Sequence, residues 1–207
     1  KGMLVHAGYG MSETCPLLSC AHLNEELLAG GEDERVSYRI KAGVPVPLVE
    51  AAIVHDQGNF LPADGEAQGE LVLRAPWLTM GYFNEPEKSN ELWAGGWLHT
   101  GDVATLDGMG YIDIRDRIKD VIKTGGEWIS SLDLEDLISR HPAVREVAVV
   151  GVADPQWGER PFALLVVREG QGIDAKALKE HLKPFVEQGH INKWAIPSQI
   201  AVVTEIP

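Results

Sequence analysis

The order of apolar and polar residues is most regular after about residue 116. The segment "SLDLEDLISRH" has apolar residues at helical spacing and predicts a helix with Ser130 or Ser131 as its N-cap. The segment "DAKALKEHLKPFVEQ" predicts an amphipathic helix that begins at an aspartate cap. The apolar runs in "VREVAVVGV", "PFALLVVRE" and "SQIAVVTEI" predict strands. Helices beside a small sheet indicate an α+β domain over residues 116–207.

Residues 38–115 have a different pattern, in which short β-rich runs are separated by turn residues. The stretch "EAAIVHDQGNFLPADGEAQGELVLR" predicts a strand, a turn and a second strand. The stretch "VATLDGMGYIDIR" predicts a hairpin around Asp107 and Gly108. A short helix is predicted for "EPEKSNELW", between these two stretches. Several short strands at this spacing are typical of a small β-barrel-like or sandwich subdomain.

Residues 1–37 begin with an apolar run, "MLVHA", which predicts a short strand. A loop follows, and then a polar segment, "NEELLAGGEDER", that we expect to be exposed. Between the second and third regions, "RDRIKD" is strongly charged and has Ile118 as its one apolar residue. Such composition predicts an exposed hinge between two domains.

Charge and composition limit the kinds of partner. Residues 1–114 carry 6 basic and 17 acidic side chains, net −11, and residues 115–207 carry 12 basic and 14 acidic, net −2. This balance argues against a nucleic-acid partner bound through phosphate neutralisation. No apolar run of about 18 residues predicts a membrane span. Two cysteines, Cys15 and Cys20, indicate neither a zinc site nor a disulfide framework, so we expect a cytoplasmic protein.

The stretch "GYGMSET" collects groups that suit a nucleotide. Gly8 and Gly10 would let the backbone approach a phosphate, and Ser12, with Thr14, would add hydroxyl donors. Tyr9 offers a flat face on which a base could stack. Glu13 is a hard oxygen ligand of the kind that Mg²⁺ takes together with ligand phosphates. Taken alone, the same loop is also compatible with an ordinary surface turn.

Two later stretches add to this set. In "GGWLHTGDVA", Asp102 could accept hydrogen bonds from both hydroxyls of a ribose, or could merely cap the strand that follows. In "DRIKDVIKTGGEWISS", Arg117 could share the ribose with Asp102. Lys119 and Lys123 add positive charge, and Lys123 could face an anion. The alternative for these cations is a solvated face beside a hairpin turn.

In this order and spacing, "YGMSET", "WLHTGD" and "DRIKDVIKTGGEWISS" resemble the adenylate-forming superfamily. The whole chain is most similar to the C-terminal part of a bacterial medium- or long-chain fatty-acyl-CoA synthetase. The resemblance implies an end of the AMP-binding domain at 1–37, its β-rich subdomain at 38–115 and a mobile C-terminal α+β domain at 116–207.

The resemblance also implies a role for each matching residue. Ala7, Gly8, Tyr9, Gly10 and Ser12 would contact adenine and phosphates, and Glu13 would hold Mg²⁺. Asp102 and Arg117 would hold the ribose. Lys119 would be the hinge residue, and the residues that approach the site in the thioester-forming step would be Lys123, Gly125, Gly126 and Trp128.

The implied reaction has two steps. A fatty acid and ATP give acyl-AMP, and the acyl group then passes to CoA. ATP or AMP, Mg²⁺ and CoA are therefore the expected cofactors and co-substrates, and a homodimer of the full-length enzyme is compatible with the family. A loop residue, Arg160, is a candidate for a CoA phosphate, with a structural salt bridge as the alternative.

The chain also departs from the family's pattern. It contains no Ser/Thr/Gly-rich phosphate loop ending in Lys, and no Gly-Lys segment follows "VVTEIP". We therefore expect this chain alone not to activate a fatty acid. One alternative is a non-catalytic module that binds a nucleotide or a partner. Another, against which the "GGEWISS" form argues, is transfer of the acyl group to an acceptor other than CoA.

Overall fold

A computed structural model describes residues 5–206, which divide into two compact units between Ile118 and Lys119. The sequence placed the boundary three residues earlier, at residue 116. The first unit has two sheets and the second unit one, and each unit has its own core.

The first unit consists of short strands and helices around a four-stranded sheet. The structure describes seven strands here: β1 (Gly8–Tyr9), β2 (Ser19–Cys20), β3 (Val44–Pro45), β4 (Glu50–Val54), β5 (Gly69–Arg74), β6 (Leu98–Leu106) and β7 (Ile112–Arg117). It also describes three α-helices: α1 (Glu25–Ala29), α2 (Glu32–Arg39) and α3 (Pro86–Leu92). Single turns of 3₁₀ helix lie at Ser12–Thr14 and Ala94–Gly96.

All the strand pairs of this unit are antiparallel among the residues described. One sheet has the order β1-β2-β3 and the other the order β4-β5-β6-β7. The predicted strand-turn-strand, hairpin and short helix are confirmed as β4-β5, β6-β7 and α3. The larger sheet is an open meander that ends at β4 and β7, so the expected barrel-like subdomain is not a closed barrel.

The sheet β4-β7 carries the core of the first unit. Alternate residues of a strand face the same side of a sheet, and Leu71 and Leu73 of β5 are both fully buried on one such face. They pack in one cluster with Ile53, Leu98 and Ile112, which are at most 1% exposed. This core fixes the strands from which the candidate site residues project.

Two local predictions need correction, and a third is confirmed. Val5 to Ala7 form no strand, and Met3 and Leu4 of the predicted "MLVHA" strand lie outside the described residues; the strand begins at Gly8. The polar segment after residue 23 is mostly exposed, as expected, and it folds into α1 and α2, which glutamates in each first turn favour through the helix dipole. The charged "RDRIKD" stretch is not an exposed hinge throughout, because β7 continues to Arg117 and Asp116 is 2% exposed.

The second unit is the predicted α+β arrangement. Its strands are β8 (Ile122–Thr124), β9 (Glu127–Ile129), β10 (Val144–Asp154), β11 (Gly158–Val167) and β12 (Gln199–Val202), and its α-helices are α4 (Ser131–Ser139) and α5 (Ala175–Glu187). The sheet has the order β10-β11-β8-β9, with β12 parallel to β11. Ser130 caps α4 by accepting from Asp133 N, and Asp174 caps α5 by accepting from Ala177 N.

The helices of the second unit bury their apolar stripes against this sheet. Leu134 and Ile138 of α4 and Leu178 and Leu182 of α5 are fully buried, in one cluster with Leu165 of β11. Among residues 5–206, no helix combines the length and the hydropathy that crossing a membrane requires.

Candidate functional site

Asp102 is the centre of the first candidate site. The residue is 8% exposed as a whole, and its side chain is 12% exposed. The phenol of Tyr9 donates to its Oδ2 at 2.5 Å, and Arg117 Nε lies 3.5 Å from its Oδ1. Asp102 and Arg117 are directly opposite each other on β6 and β7, whereas Tyr9 comes from β1. The predicted partnership of Asp102 and Arg117 is therefore present in the fold, with Tyr9 as a third member.

Tyr9 has a polar role that the sequence did not indicate. Its ring packs against the core of the first unit and is partly buried. Burial of the phenol raises the pKa of Tyr9 far above its ordinary value, and the hydrogen bond and the charge of Asp102 raise it further. The phenol therefore stays protonated at neutral pH and acts as a hydrogen-bond donor to Asp102. Base stacking on this ring stays a prediction.

A bulge in β6 presents Asp102. Between the pairs Glu70–Val103 and Val72–His99, β5 has one residue and β6 has three, ending with Asp102. Bulges of this kind bend a strand and re-aim a side chain, and they occur often beside functional sites. The predicted alternative, a strand-capping acid in a turn, is wrong, because Asp102 lies within β6.

Side chains of neighbouring residues hold this bulge in place. Gly101 has φ of +72°, a conformation that favours glycine. Its N–H donates to Glu70 Oε1 at 3.0 Å, and Glu70 Oε2 lies 2.7 Å from His99 Nδ1. Thr100 Oγ1 donates to the Leu71 carbonyl at 2.8 Å and accepts from Asp102 N at 3.1 Å. Sequence reasoning missed Glu70, because a lone glutamate in an apolar strand gives no motif.

Two residues of the loop "GYGMSET" itself help to determine the conformation of the loop. Thr14 is fully buried, and its Oγ1 bonds to Met11 N, to Met11 O and to Pro16 O. Its hydroxyl therefore serves the 3₁₀ turn, not a phosphate as expected. A Cβ at Gly10 would lie 1.6 Å from the Pro16 carbonyl oxygen, so the fold itself requires glycine there. Ser12 is exposed, which leaves its hydroxyl available.

Ala7 and Gly8 lie beside this loop. Ala7 is half-buried, and its N–H donates to the Arg39 carbonyl at 3.1 Å. Gly8 is exposed and pairs with Cys20. Both residues thus have backbone partners within the first unit, and contacts of theirs with a nucleotide stay predictions.

Glu13 is held separately from Asp102. Its side-chain Oε1 accepts a hydrogen bond from the Tyr82 phenol at 2.6 Å, and its backbone carbonyl accepts from Thr79 N at 2.9 Å. The hydrogen bond to Glu13, followed by burial, raises the pKa of Tyr82. Sequence reasoning missed Tyr82, although the aromatic pair in "MGYFNEPEK" follows a turn glycine.

The surroundings of Glu13 fit one kind of metal site. Within residues 5–206, no three His, Cys, Asp or Glu side chains converge as a metal cage would require. A single carboxylate with unoccupied acceptor positions suits Mg²⁺. This ion keeps several waters and takes one or two carboxylates together with substrate phosphates. Such a carboxylate does not suit a tightly held structural metal.

A cleft of about 520 Å³ lies in the first unit beside these residues. Tyr82, which holds Glu13, and Gly101, which precedes Asp102, both line it. The other lining residues are Glu70, Glu85, Lys88, Glu91, Leu92, His99 and Thr100. Its volume falls within the range of small-molecule sites.

The second unit contains the other group of predicted site residues. Lys123 and Trp128 are opposite each other in the β8-β9 hairpin, and Lys123 Nζ lies 4.8 Å from the centroid of the Trp128 ring. The turn between them is Gly125-Gly126, with φ of +59° and +88°. Positive φ at both central residues is the type I′ geometry that fits a two-residue hairpin.

Backbone hydrogen bonds anchor this hairpin. Lys123 N donates to Glu159 Oε2 at 2.9 Å, and Gly125 N donates to the Trp157 carbonyl at 2.8 Å. The Lys123 side chain is itself exposed. Lys119, the predicted hinge residue, is exposed in the turn that opens the second unit, and Arg160 is half-buried in β11 opposite Val152.

Comparison with known proteins gives the family. Residues 2–83 match the family described as AMP-binding enzyme, and residues 133–207 match the family described as AMP-binding enzyme C-terminal domain. The chain belongs to the AMP-binding enzymes, and the resemblance to the adenylate-forming superfamily is confirmed.

Individual relatives and solved structures agree with this family assignment. The chain is 41% identical over 207 residues to a long-chain-fatty-acid–CoA ligase of Thermus thermophilus, with 100% of this chain and 37% of that protein covered. Among solved structures, o-succinylbenzoate CoA synthetase (MenE) of Bacillus subtilis with the acyl-adenylate OSB-AMP is 31% identical, at a TM-score of 0.76, over 97% of this chain and 37% of that one. The same synthetase with ATP and a magnesium ion is 30% identical, at a TM-score of 0.75, over 97% of this chain and 38% of that one. The chain thus spans less than two-fifths of the length of these relatives.

Proposed function

We propose that this chain supplies the nucleotide- and CoA-facing parts of an acyl-CoA ligase that activates a fatty acid. The observation that carries the proposal is the side chain of Asp102, which is 12% exposed and pairs with a 65% exposed Arg117 side chain at 3.5 Å. A nearly buried acid with an exposed cationic partner can take a polar ligand from solvent. The named activities of the relatives support fatty acid, ATP and CoA as substrates.

In this proposal, Asp102 and Arg117 bind the ribose. A carboxylate has about four acceptor positions, of which the Tyr9 phenol occupies one, so the ribose hydroxyls can donate to the others. Arg117 adds donors that cannot lose their charge. Tyr9 keeps the carboxylate in one orientation, which lowers the entropic cost of binding.

The triphosphate would lie against the "GYGMSET" loop. The backbone at Gly8 and Gly10, the exposed Ser12 hydroxyl and the neighbouring Ala7 would contact phosphates and adenine, and Glu13 would be the protein's Mg²⁺ ligand. When bound, Mg²⁺ would offset the negative charge of the phosphates.

The proposed chemistry rests on the family and on the named activities of the relatives. A fatty-acid carboxylate oxygen attacks the α-phosphorus of ATP, and the bond to pyrophosphate breaks. The thiolate of CoA then attacks the acyl carbon, and AMP leaves with the electron pair. We assign Lys123, Gly125, Gly126 and Trp128 to this second step and Lys119 to the domain movement between the steps.

Calorimetry with AMP tests the ribose site. Asp102→Asn should weaken AMP binding about tenfold or more, because hydrogen bonds to a charged partner are worth about 1.5–3 kcal/mol each. Asp113→Asn is the matched control, since it removes a carboxylate from the same sheet, where Asp113 pairs with Arg115. Equal affinity in the Asp102 variant and the unaltered chain would contradict the proposal.

The chain represents 37% of the length of the Thermus ligase. We therefore propose that the purified chain binds AMP but forms no acyl-AMP. Pyrophosphate release with ATP, Mg²⁺ and a fatty acid measures this directly. Release above the rate of an Asp102→Asn control would show that the chain is active by itself. Failure to bind AMP at all would exclude even the alternative of a non-catalytic nucleotide-binding module.

A further inference from the structure

Glu13 is fixed at two points by one loop. The Tyr82 phenol donates to its side-chain Oε1 at 2.6 Å, and Thr79 N donates to its backbone carbonyl at 2.9 Å. The phenol and the carboxylate come from positions 69 residues apart. The segment 79–82 therefore determines both where Glu13 lies and how its carboxylate is turned.

Helix α3 and the residues after it hold this loop. Trp93 Nε1 donates to the Thr79 carbonyl at 3.0 Å. Tyr82 N donates to Ser89 Oγ at 2.8 Å, and Ser89 Oγ donates in turn to the Glu85 carbonyl at 2.7 Å. A Cβ at residue 81 would lie 2.7 Å from Ser89 Oγ, so the glycine allows the loop to pack on the helix. The loop that carries Tyr82 is thus tied to α3 through Ser89 and to Trp93 after it.

The hydrogen bond leaves the carboxylate competent to bind a cation. The phenol occupies one acceptor position on Oε1, and Oε2 keeps both of its own. A phenol is protonated at neutral pH, so it donates to the carboxylate and does not compete for the cation as an anion. A partner of this kind fixes a metal ligand in one rotamer, so less entropy is lost when the cation binds.

We propose that Tyr82 is a positioning residue for Glu13 and thereby sets the Mg²⁺ concentration at which this chain binds ATP. The inference rests on the proposed function, because it assigns the metal to Glu13. Tyr82 lies outside the "GYGMSET", "WLHTGD" and "KTGGEW" stretches. Its proposed role concerns the binding of the metal and not that of the nucleoside.

The test is a calorimetric titration of the purified chain with ATP at increasing Mg²⁺, beside a titration with AMP in EDTA. Tyr82→Phe should raise the Mg²⁺ concentration for half-maximal ATP binding about tenfold, the low end of what losing a ligand's partner costs. AMP binding in EDTA should stay within about twofold, since it does not use the metal. Tyr38→Phe, which removes a phenol elsewhere in the unit, is the control and should change neither titration.

Each outcome has one meaning. An unchanged or lower Mg²⁺ requirement in Tyr82→Phe overturns the inference while leaving the ribose site intact. Equal weakening of ATP and AMP binding also overturns it, because the effect would not be metal-specific. If the unaltered chain binds neither ligand, the proposed function fails, and this inference fails with it. Should Tyr82→Phe not fold, Ser89→Ala loosens the same loop without touching the phenol and should raise the Mg²⁺ requirement in the same direction.

Discussion

The phenol of Tyr9 donates a hydrogen bond to the carboxylate of Asp102 at 2.5 Å, across 93 positions of sequence. The contact joins the small sheet β1-β3 to the bulge of β6. It gives a nearly buried carboxylate a neutral donor on one oxygen while Arg117 faces the other. The sequence supplied these residues as separate motifs, and the fold makes them one cluster.

Removing this phenol should affect binding and folding together. Tyr9→Phe should weaken AMP binding up to about tenfold and lower the free energy of unfolding of the first unit by about 1.5–3 kcal/mol, because one hydrogen bond to a nearly buried carboxylate is lost. Calorimetry with AMP and urea unfolding measure the two effects. Tyr38→Phe is the matched control for losing a phenol. A Tyr9 variant that binds AMP as the parent does would show that the contact is structural only.

The first unit should lose stability in alkali. Burial and Asp102 raise the pKa of Tyr9, and the pKa values of Tyr38, Tyr82 and Tyr111 are also raised. A tyrosine with a raised folded-state pKa contributes stability that is fully present below its unfolded pKa of about 10 and is lost as pH rises above it. Urea unfolding at pH 8 and at pH 11 tests this.

The variant Tyr9→Phe isolates the contribution of Tyr9 to this loss of stability in alkali. In Tyr9→Phe, the fall in the free energy of unfolding between pH 8 and pH 11 should be smaller than in the unaltered chain, because this residue no longer titrates. An identical fall in both proteins would mean that Tyr9 ionises normally in the folded state.

Glu70 should control the shape of the β6 bulge. Glu70→Ala leaves the Gly101 N–H without its acceptor and should cost about 1–3 kcal/mol of stability, with weaker AMP binding. Glu70→Gln keeps an oxygen that can accept from Gly101. Its stability and its AMP affinity should therefore lie between those of Glu70→Ala and of the unaltered chain. Glu66→Ala, an exposed glutamate before the same strand, should have little effect. If the glutamine variant is as impaired as alanine, the charge on Glu70 matters more than its acceptor.

The hairpin of the second unit depends on two glycines. Gly126→Ala places a side chain in left-handed backbone with open space around it, and should cost about 1–2 kcal/mol. Gly125→Ala adds a Cβ contact of 3.1 Å with the Trp157 ring and should cost more. Gly172→Ala is the control, because that residue has neither a positive φ nor a neighbouring atom that a Cβ would meet. Thermal melts give the order, and Gly126→Asn, which tolerates positive φ, should recover part of the loss.

Regular elements could be predicted because their causes are local. The α4 and α5 helices follow from apolar spacing and the caps Ser130 and Asp174, and the β6-β7 hairpin follows from its turn residues. The start of the chain was harder, since α1 and α2 are short and polar and the "MLVHA" pattern resembled a strand.

The partners of the site residues could not be read from sequence for a different reason. Glu70 and Tyr82 act through hydrogen bonds that join residues 31 and 69 positions apart. No periodicity or motif encodes such a pair, because the contact exists only after the sheet and the α3 loop have folded. The motif residues were visible, and the side chains that orient them were not.

The end of β7 places the candidate ribose site close in sequence to the start of the second unit. Arg117 is opposite Asp102, the next residue donates its N–H to the Gly101 carbonyl at 2.9 Å, and the first unit ends there. The chain therefore passes into the second unit directly after Ile118, which follows the residue opposite the carboxylate that we propose binds the ribose. In the proposed function, a nucleotide bound by Arg117 would therefore be held two residues before Lys119, where the second unit begins.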